Sequence, residues 1–248
     1  MSRELRKVLF EETKDMVSCM DIEPKVVGFT HYTKETVPTC EKYISKFKEY
    51  NKSRVIFEKM DTISAALKHK QNSLEDKPEV DFLVFASSKH YGGGIWNGAK
   101  AQEEDIFLCT DLFMLKNEVE EEYYPLNGIL AVDCHIVSDN NYTPLDKEVY
   151  ARAFFAPAPN LNKNMNDPKS DIDFYTRMCN LTEATLDYSS NSTLILGAWG
   201  CGVFKNDPEK VAEMFKKIIT LLFEDYKKIV IAIPDDEVLN IFKTVIMS

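Results

Sequence analysis

The chain has 248 residues, 44% of them hydrophobic and 28% charged, with a formal net charge of −10. That composition excludes a disordered or fibrous protein, and the length suffices for one α/β domain that buries roughly 70–75% of its unfolded surface. The acidic balance argues against a generic nucleic-acid binder, so direct DNA binding is not expected. An anionic ligand would have to be held by local backbone dipoles.

In chain order, residues 3–19 carry Leu5, Val8, Leu9 and Met16 at helical spacing. Residues 25–29 and 54–58 read as strands, and 61–70 as a helix with Asp61 at its N-cap. VDFLVFASS, 80–88, is a nearly continuous apolar run, as expected of a strand buried on both faces. Residues 98–117 read as one helix, 128–137 and 150–156 as strands, and 170–189 as a helix. The segment 160–173 is the best loop candidate, and 193–199 is another buried strand. A helix then starts at Asp207 and Pro208, with Val211, Met214, Phe215, Ile218, Ile219 and Leu222 on one stripe, and 228–234 closes the series as a strand. Alternating strands and helices imply a mixed or largely parallel sheet between helical layers, with ligands held beyond the carboxyl ends of the strands.

Six cysteines form no CxxC pair, and the four histidines share no ligand spacing, so neither a metal nor any other cofactor is expected. The start shows no signal-peptide pattern and no apolar run is long enough for a bilayer, which suggests an intracellular protein with reduced thiols and no membrane partner. The sequons at Asn51, Asn141, Asn180 and Asn191 are then matters of composition. His90 is the one histidine in a turn at a strand end; His31, His69 and His135 suit structural or surface roles.

Two glycine turns follow buried strands. FASSKHYGGGIWNGAKAQEED, 85–105, puts three glycines between a strand and a helix; GAWGCGVFKNDPEK, 197–210, repeats the arrangement. Glycine permits φ > 0 and close approach of a ligand to the backbone, and a helix start offers N–H groups and partial positive charge. Either turn alone equally suits a plain tight turn. Together, at two strand ends of one sheet, they could clamp a diphosphate. Gln102, Glu103 and Glu104 open the helix. Successive helical side chains diverge by roughly 100°, so the two glutamates should not straddle a glycosidic bond. One would position a hydroxyl and the other move the proton, unless they are only first-turn acids complementing the helix dipole.

The run GGG, seven residues (Ile95–Ala101), then Gln-Glu-Glu resembles the GGG-X6-8-QEE signature of poly(ADP-ribose) glycohydrolases. FASSKHYGGG, APAPN at 156–160, LILGAWGCGVFKNDPEKVAEMF at 194–215 and HYTKETV near residue 31 are similar to segments of the microbial-type members. Val84 and Tyr91 depart from the Asn and Pro common there. The resemblance implies a single domain over 1–248: a three-layer α/β/α macrodomain with a mixed central sheet of about six or seven strands. It implies hydrolysis of ribose–ribose O-glycosidic bonds, mainly from chain ends. Poly(ADP-ribose) or ADP-ribosylated proteins are the expected partners, and ADP-ribose the product. By position it assigns catalysis to Glu104, a ribose-hydroxyl contact to Glu103, a diphosphate loop to Gly92, Gly93 and Gly94, and a second to Gly200, Cys201, Gly202, Val203 and Phe204. Ala86, Ser87 and Gln102 come with the same motifs as substrate-binding positions. A macrodomain hydrolase of another ADP-ribosyl bond, or a non-catalytic ADP-ribose reader, stays open.

Overall fold

A computed structural model describes residues 1–44, 52–71, 77–162, 173–189, 193–222 and 226–248. The apolar runs become a seven-stranded mixed sheet in the order β1-β4-β5-β3-β6-β7-β2. Its strands are β1 (Lys25–His31), β2 (Val55–Glu58), β3 (Val80–Val84), β4 (Gly128–Ser138), β5 (Pro144–Phe155), β6 (Thr193–Leu196) and β7 (Lys228–Ala232). β4 is antiparallel to both β1 and β5. The other pairings, β5·β3, β3·β6, β6·β7 and β7·β2, are parallel. Strands β1, β2, β3, β5, β6 and β7 therefore all end on one rim, where β4 begins.

Side-chain alternation divides the core in two. Leu83, Ile129, Ala131, Leu194, Leu196, Ile229 and Ile231 face one cluster, which also holds residues of α2 (Thr36–Ile44), α6 (Phe174–Asp187), α7 (Pro208–Leu222) and α8 (Asp236–Met247). Phe82, Val84, Leu130, Val132, Ile195 and Val230 face the second, with α1 (Arg3–Ser18), α3 (Thr62–His69), α4 (Gln102–Phe107) and α5 (Lys116–Tyr123). This is the expected three-layer α/β/α arrangement.

Local chemistry sets the helix starts. Ser2, Asp61, Asp173 and Asp235 each accept the N–H three residues on, satisfying a donor the helix leaves free. Asp207 accepts from Glu209 N, two residues on, at 2.9 Å, with Pro208 between them.

The expected helix over 98–117 is a correction. It breaks into α4, a 3₁₀ turn at Leu112–Leu115, and α5. The break occurs where the chain docks on β4: Thr110 bridges Ile136, Val137 N donates to Cys109 O, and Asp111 N donates to His135 O. β3 stops at Val84 rather than Ser88, and β6 at Leu196, because both chains then turn into the rim loops. β5 starts earlier than expected, at Pro144, as the second arm of a hairpin with β4. In the predicted loop 160–173, residues 163–172 lie outside the described residues. No helix among the described residues is long and apolar enough to cross a membrane.

Candidate active site

β3 and β6 are adjacent and parallel, so the glycine turns that follow them leave the sheet side by side. The segment after β5 lies on the other side of β3. It is tied to the second turn: Trp199 Nε1 donates to Ala156 O (2.8 Å), Asn206 Nδ2 to Pro159 O (2.8 Å), and Leu161 N to Phe204 O (2.9 Å).

The first turn folds over the start of α4. Gly92 and Gly93 have φ of 76° and 55°, the left-handed region that glycine tolerates. Glu103 Oε2 accepts from Ser87 N at 2.8 Å and its Oε1 from Gly92 N at 3.1 Å. Glu104 Oε1 accepts from Gly94 N at 2.9 Å. The expected divergence of the two glutamates is not what the structure shows. A Cβ on Gly93 would lie 2.5 Å from Glu104 Oε1 and 2.9 Å from Glu103 Oε2. Both carboxyl groups bend onto one glycine turn, which has room for them only because it lacks a side chain there.

The two acids nevertheless end differently. Both are buried, Glu103 to 3% exposure and Glu104 to 7%. Glu103 has each oxygen on a backbone N–H, whereas Glu104 Oε2 is buried with no hydrogen-bond partner among the described residues. Burial pushes the Glu103 carboxyl well above the ordinary carboxylate range, with the Glu104 charge adding to the rise, while the N–H groups of Ser87 and Gly92 oppose it.

Gln102 braces rather than points into open space. Its amide oxygen accepts from Phe85 N (2.8 Å), and its Nε2 donates to Leu83 O (2.7 Å) and Thr62 Oγ1 (3.0 Å), joining α4 to the end of β3 and the start of α3. Ala86 is fully buried. Ser87 Oγ accepts from Lys89 N and His90 N, shaping the turn. The expectation that Gly92–Gly94 would offer N–H groups to a diphosphate meets a correction. Gly92 N and Gly94 N are engaged by the glutamates, and Gly93 N donates to His90 O at 3.1 Å.

The second turn differs. Gly200 has φ of 77°, and a Cβ there would meet Asn206 and Ala158. Cys201 N donates to Ala198 O, but among the described residues nothing accepts from the N–H groups of Gly202, Val203 and Phe204. Gly202 and Val203 are exposed. Burial pushes the Cys201 thiol up to about 12, with the Asp207 charge adding to the rise. A cavity of about 300 Å³ opens between α3, α4 and the ends of β6 and β7, lined by Thr62, Phe85, Lys100, Gln102, Ala198 and Pro234 among others.

Of the remaining sequence candidates, His90 is exposed, with Nδ1 3.9 Å from Glu120. His69 bonds Glu58 and His135 bonds Asp111. Trp96 packs edge-on against Phe10, and Trp199 is fully buried. Tyr91, one of the departures from the family pattern, is buried against Phe107 and Phe155. Among the described residues no group of three or more His, Cys, Asp or Glu could hold a metal ion. Sequence reasoning missed Arg6. Its Nε donates to Ala99 O and its Nη1 to Asp105, within the segment that carries the glutamates, and nothing local marks it.

The family model for the microbial-type PARG catalytic domain matches residues 13–150. No curated protein sequence matches the chain. Among solved structures, the fold is similar to poly(ADP-ribose) glycohydrolase from Thermomonospora curvata bound to the inhibitor ADP-HPD, with 21% identity, a TM-score of 0.68, and coverage of 97% of this chain and 99% of that one. It is also similar to the Deinococcus radiodurans enzyme in complex with ADP-ribose, with 24% identity, a TM-score of 0.66, and coverage of 88% and 94%. At those identities the structural likeness is one of fold.

Proposed function

The chain belongs to the microbial-type poly(ADP-ribose) glycohydrolase (PARG) catalytic-domain family, and from that premise we propose that residues 1–248 act as one glycosidase unit that cleaves the ribose–ribose O-glycosidic bonds of poly(ADP-ribose). The observation that carries the mechanism is the asymmetry of Glu104: Oε1 is fixed by Gly94 N, while Oε2 is buried and unpartnered. A carboxyl group held by one oxygen and free at the other has the geometry of a general acid.

In this reading Glu104 acts as the general acid, giving a proton to the leaving ribose oxygen as the bond to the anomeric carbon breaks. The oxocarbenium-like centre takes the oxygen of a water, and that water's proton passes back to Glu104. Glu103 holds Ser87 and Gly92 in place, with acceptor capacity left for a ribose hydroxyl. The free N–H groups of Gly202, Val203 and Phe204 suit a diphosphate. The cavity beside Phe85 and Ala198 adjoins both turns and is at the lower end of ligand-pocket sizes, enough for a nucleobase.

Labelled polymer incubated with the purified protein tests this reading. Wild type releases ADP-ribose, while Glu104→Gln loses a factor of about 10² or more in turnover and still binds ADP-ribose. Near-normal turnover by the folded variant would refute the assignment of Glu104. Release from a mono-modified acceptor, with no release from polymer, would favour a hydrolase of another ADP-ribosyl bond.

A further inference from the structure

The turn and helix that carry Glu103 and Glu104 are short, and α4 spans only Gln102–Phe107. Six residues cannot hold a catalytic geometry alone. The external support comes from one face of α1, where residues 3, 6, 10 and 13 recur at helical spacing. Gly98 adopts φ of 67° and sits so close to α1 that a Cβ would lie 2.2 Å from Arg3 O. Phe10 meets Trp96 edge-on at 5.0 Å, and Thr13 Oγ1 donates to Leu108 O at 2.9 Å. Between these contacts lies Arg6, a charged side chain only 1% exposed. Its Nε donates to Ala99 O at 2.7 Å and its Nη1 to Asp105 Oδ1 at 2.6 Å. The two prongs grip the chain on either side of Gln102, Glu103 and Glu104. Tyr142, from the β4–β5 hairpin, reaches the same Asp105 oxygen at 3.5 Å.

We infer that Arg6 is a positioning residue for the glycohydrolase reaction: by joining Ala99 and Asp105 it fixes the start of α4, and so the carboxyl groups of Glu103 and Glu104, against the glycine turn. Arg6 acts through these groups and does not touch substrate. The inference rests on the proposed function for its kinetic consequence, but its structural content can be read separately. A buried arginine is otherwise an expensive way to fill a helix interface. A guanidinium fork suits the task because one planar group can bond a carbonyl and a carboxylate at once, which an ammonium cannot do with the same geometry.

The experiment compares Arg6→Ala, Arg6→Lys and Asp105→Asn with wild type. Because small misplacements of catalytic groups lower turnover by up to about 10²-fold, kcat of Arg6→Ala on polymer is expected to fall by about ten- to a hundredfold. The Kd for ADP-ribose should stay within about threefold, added guanidinium should restore part of the rate, and Arg6→Lys should lie between. Independently of activity, the amides of Gly92 and Gly94, whose acceptors are the two glutamates, should exchange hydrogen faster in Arg6→Ala while those of β6 and β7 keep their protection. An unchanged kcat in the folded variant, or exchange raised uniformly across the sheet, would overturn the inference. If Arg6→Ala does not fold, the two volume-conserving variants decide by the same readouts, and unchanged values in both overturn it. If wild type hydrolyses no polymer, the proposed function falls, and exchange at Gly92 and Gly94 alone decides the brace.

Discussion

Glu103 and Glu104 are neighbours of almost equal burial, and what separates them is the number of backbone donors each meets. An intramolecular hydrogen bond contributes about 0.5–1.5 kcal/mol, so two N–H groups make Glu103 a clamp, while one leaves Glu104 an oxygen for chemistry. The Glu103 carboxyl has a pKa raised by burial from the ordinary 4.5. The sign of the consequence follows. Below about pH 4.5 both folded and unfolded chains hold the proton, and the group's contribution is fully present. As pH rises, the unfolded chain releases the proton first, so stability is lost progressively up to the raised folded value. Urea unfolding at pH 5 and pH 8 should therefore show a larger loss for wild type than for Glu103→Gln, which has nothing to titrate. Equal losses would mean that Glu103 is ionised throughout. The spacing of Gln102, Glu103 and Glu104 was legible in the sequence; their convergence on one turn was not. It depends on Gly93 wrapping around the helix start, whereas the simple helical angle argues for divergence.

At the scale of elements, strands with apolar runs were legible because burial on both faces leaves a continuous signal. α3 was legible from its cap and α7 from cap and stripe; α1 was legible from helical spacing alone, and of the residues that marked it Leu5 and Val8 are exposed, the buried face being Arg6, Phe10, Thr13 and Val17. α2 and α8 were not marked by the same reading, and the helix over 98–117 was overextended because its interruption comes from pairing with β4, a contact remote in sequence. The Arg6 contacts, 93 and 99 residues apart, are invisible for the same reason. The glycine turns also looked equivalent in sequence and are not. Gly93 needs its positive φ and the absence of a Cβ, so Gly93→Ala should cost about 1–2 kcal/mol in backbone strain and displace both carboxyl groups, lowering turnover at least tenfold. Gly202 has nothing within 4 Å of an added Cβ. Gly202→Ala should therefore leave Tm within about 2 °C of wild type, and weaken ADP-ribose binding only if an anion approaches that backbone. Calorimetry on both variants checks the contrast; unaltered ADP-ribose affinity in Gly202→Ala would remove the second turn as a phosphate seat.

At the scale of the whole molecule, the sheet order decides which segments share a rim. Strands β5, β3 and β6 are consecutive, so the segment after β5, the glutamate-bearing turn and the second glycine turn form a row along one rim. The row is closed at the β6 turn by cross-links rather than by bulk. Asn206 Nδ2 bonds both Pro159 O and Gly200 O, Leu161 N bonds Phe204 O, and Asn162 Nδ2 reaches Val203 O. Phe204 is thereby held through its carbonyl oxygen, beside the N–H groups that suit a diphosphate. If the second turn seats a diphosphate as proposed, the tied segment beside it would admit a terminal ribose and stop a continuing chain, and trimming from chain ends should dominate. A time course on long polymer, with fragments sized on a gel, distinguishes the modes. Monomeric ADP-ribose should appear from the first time points while long chains shorten slowly. Asn206→Ala, which removes the side-chain ties to Pro159 O and Gly200 O, and Phe204→Ala, which removes the ring but keeps the backbone tie to Leu161 N, should shift some cutting to internal bonds and produce mid-length fragments that wild type does not. If wild type itself accumulates mid-length fragments early, the wall does not close the cleft, and the polymer must pass over Phe204 rather than end at it.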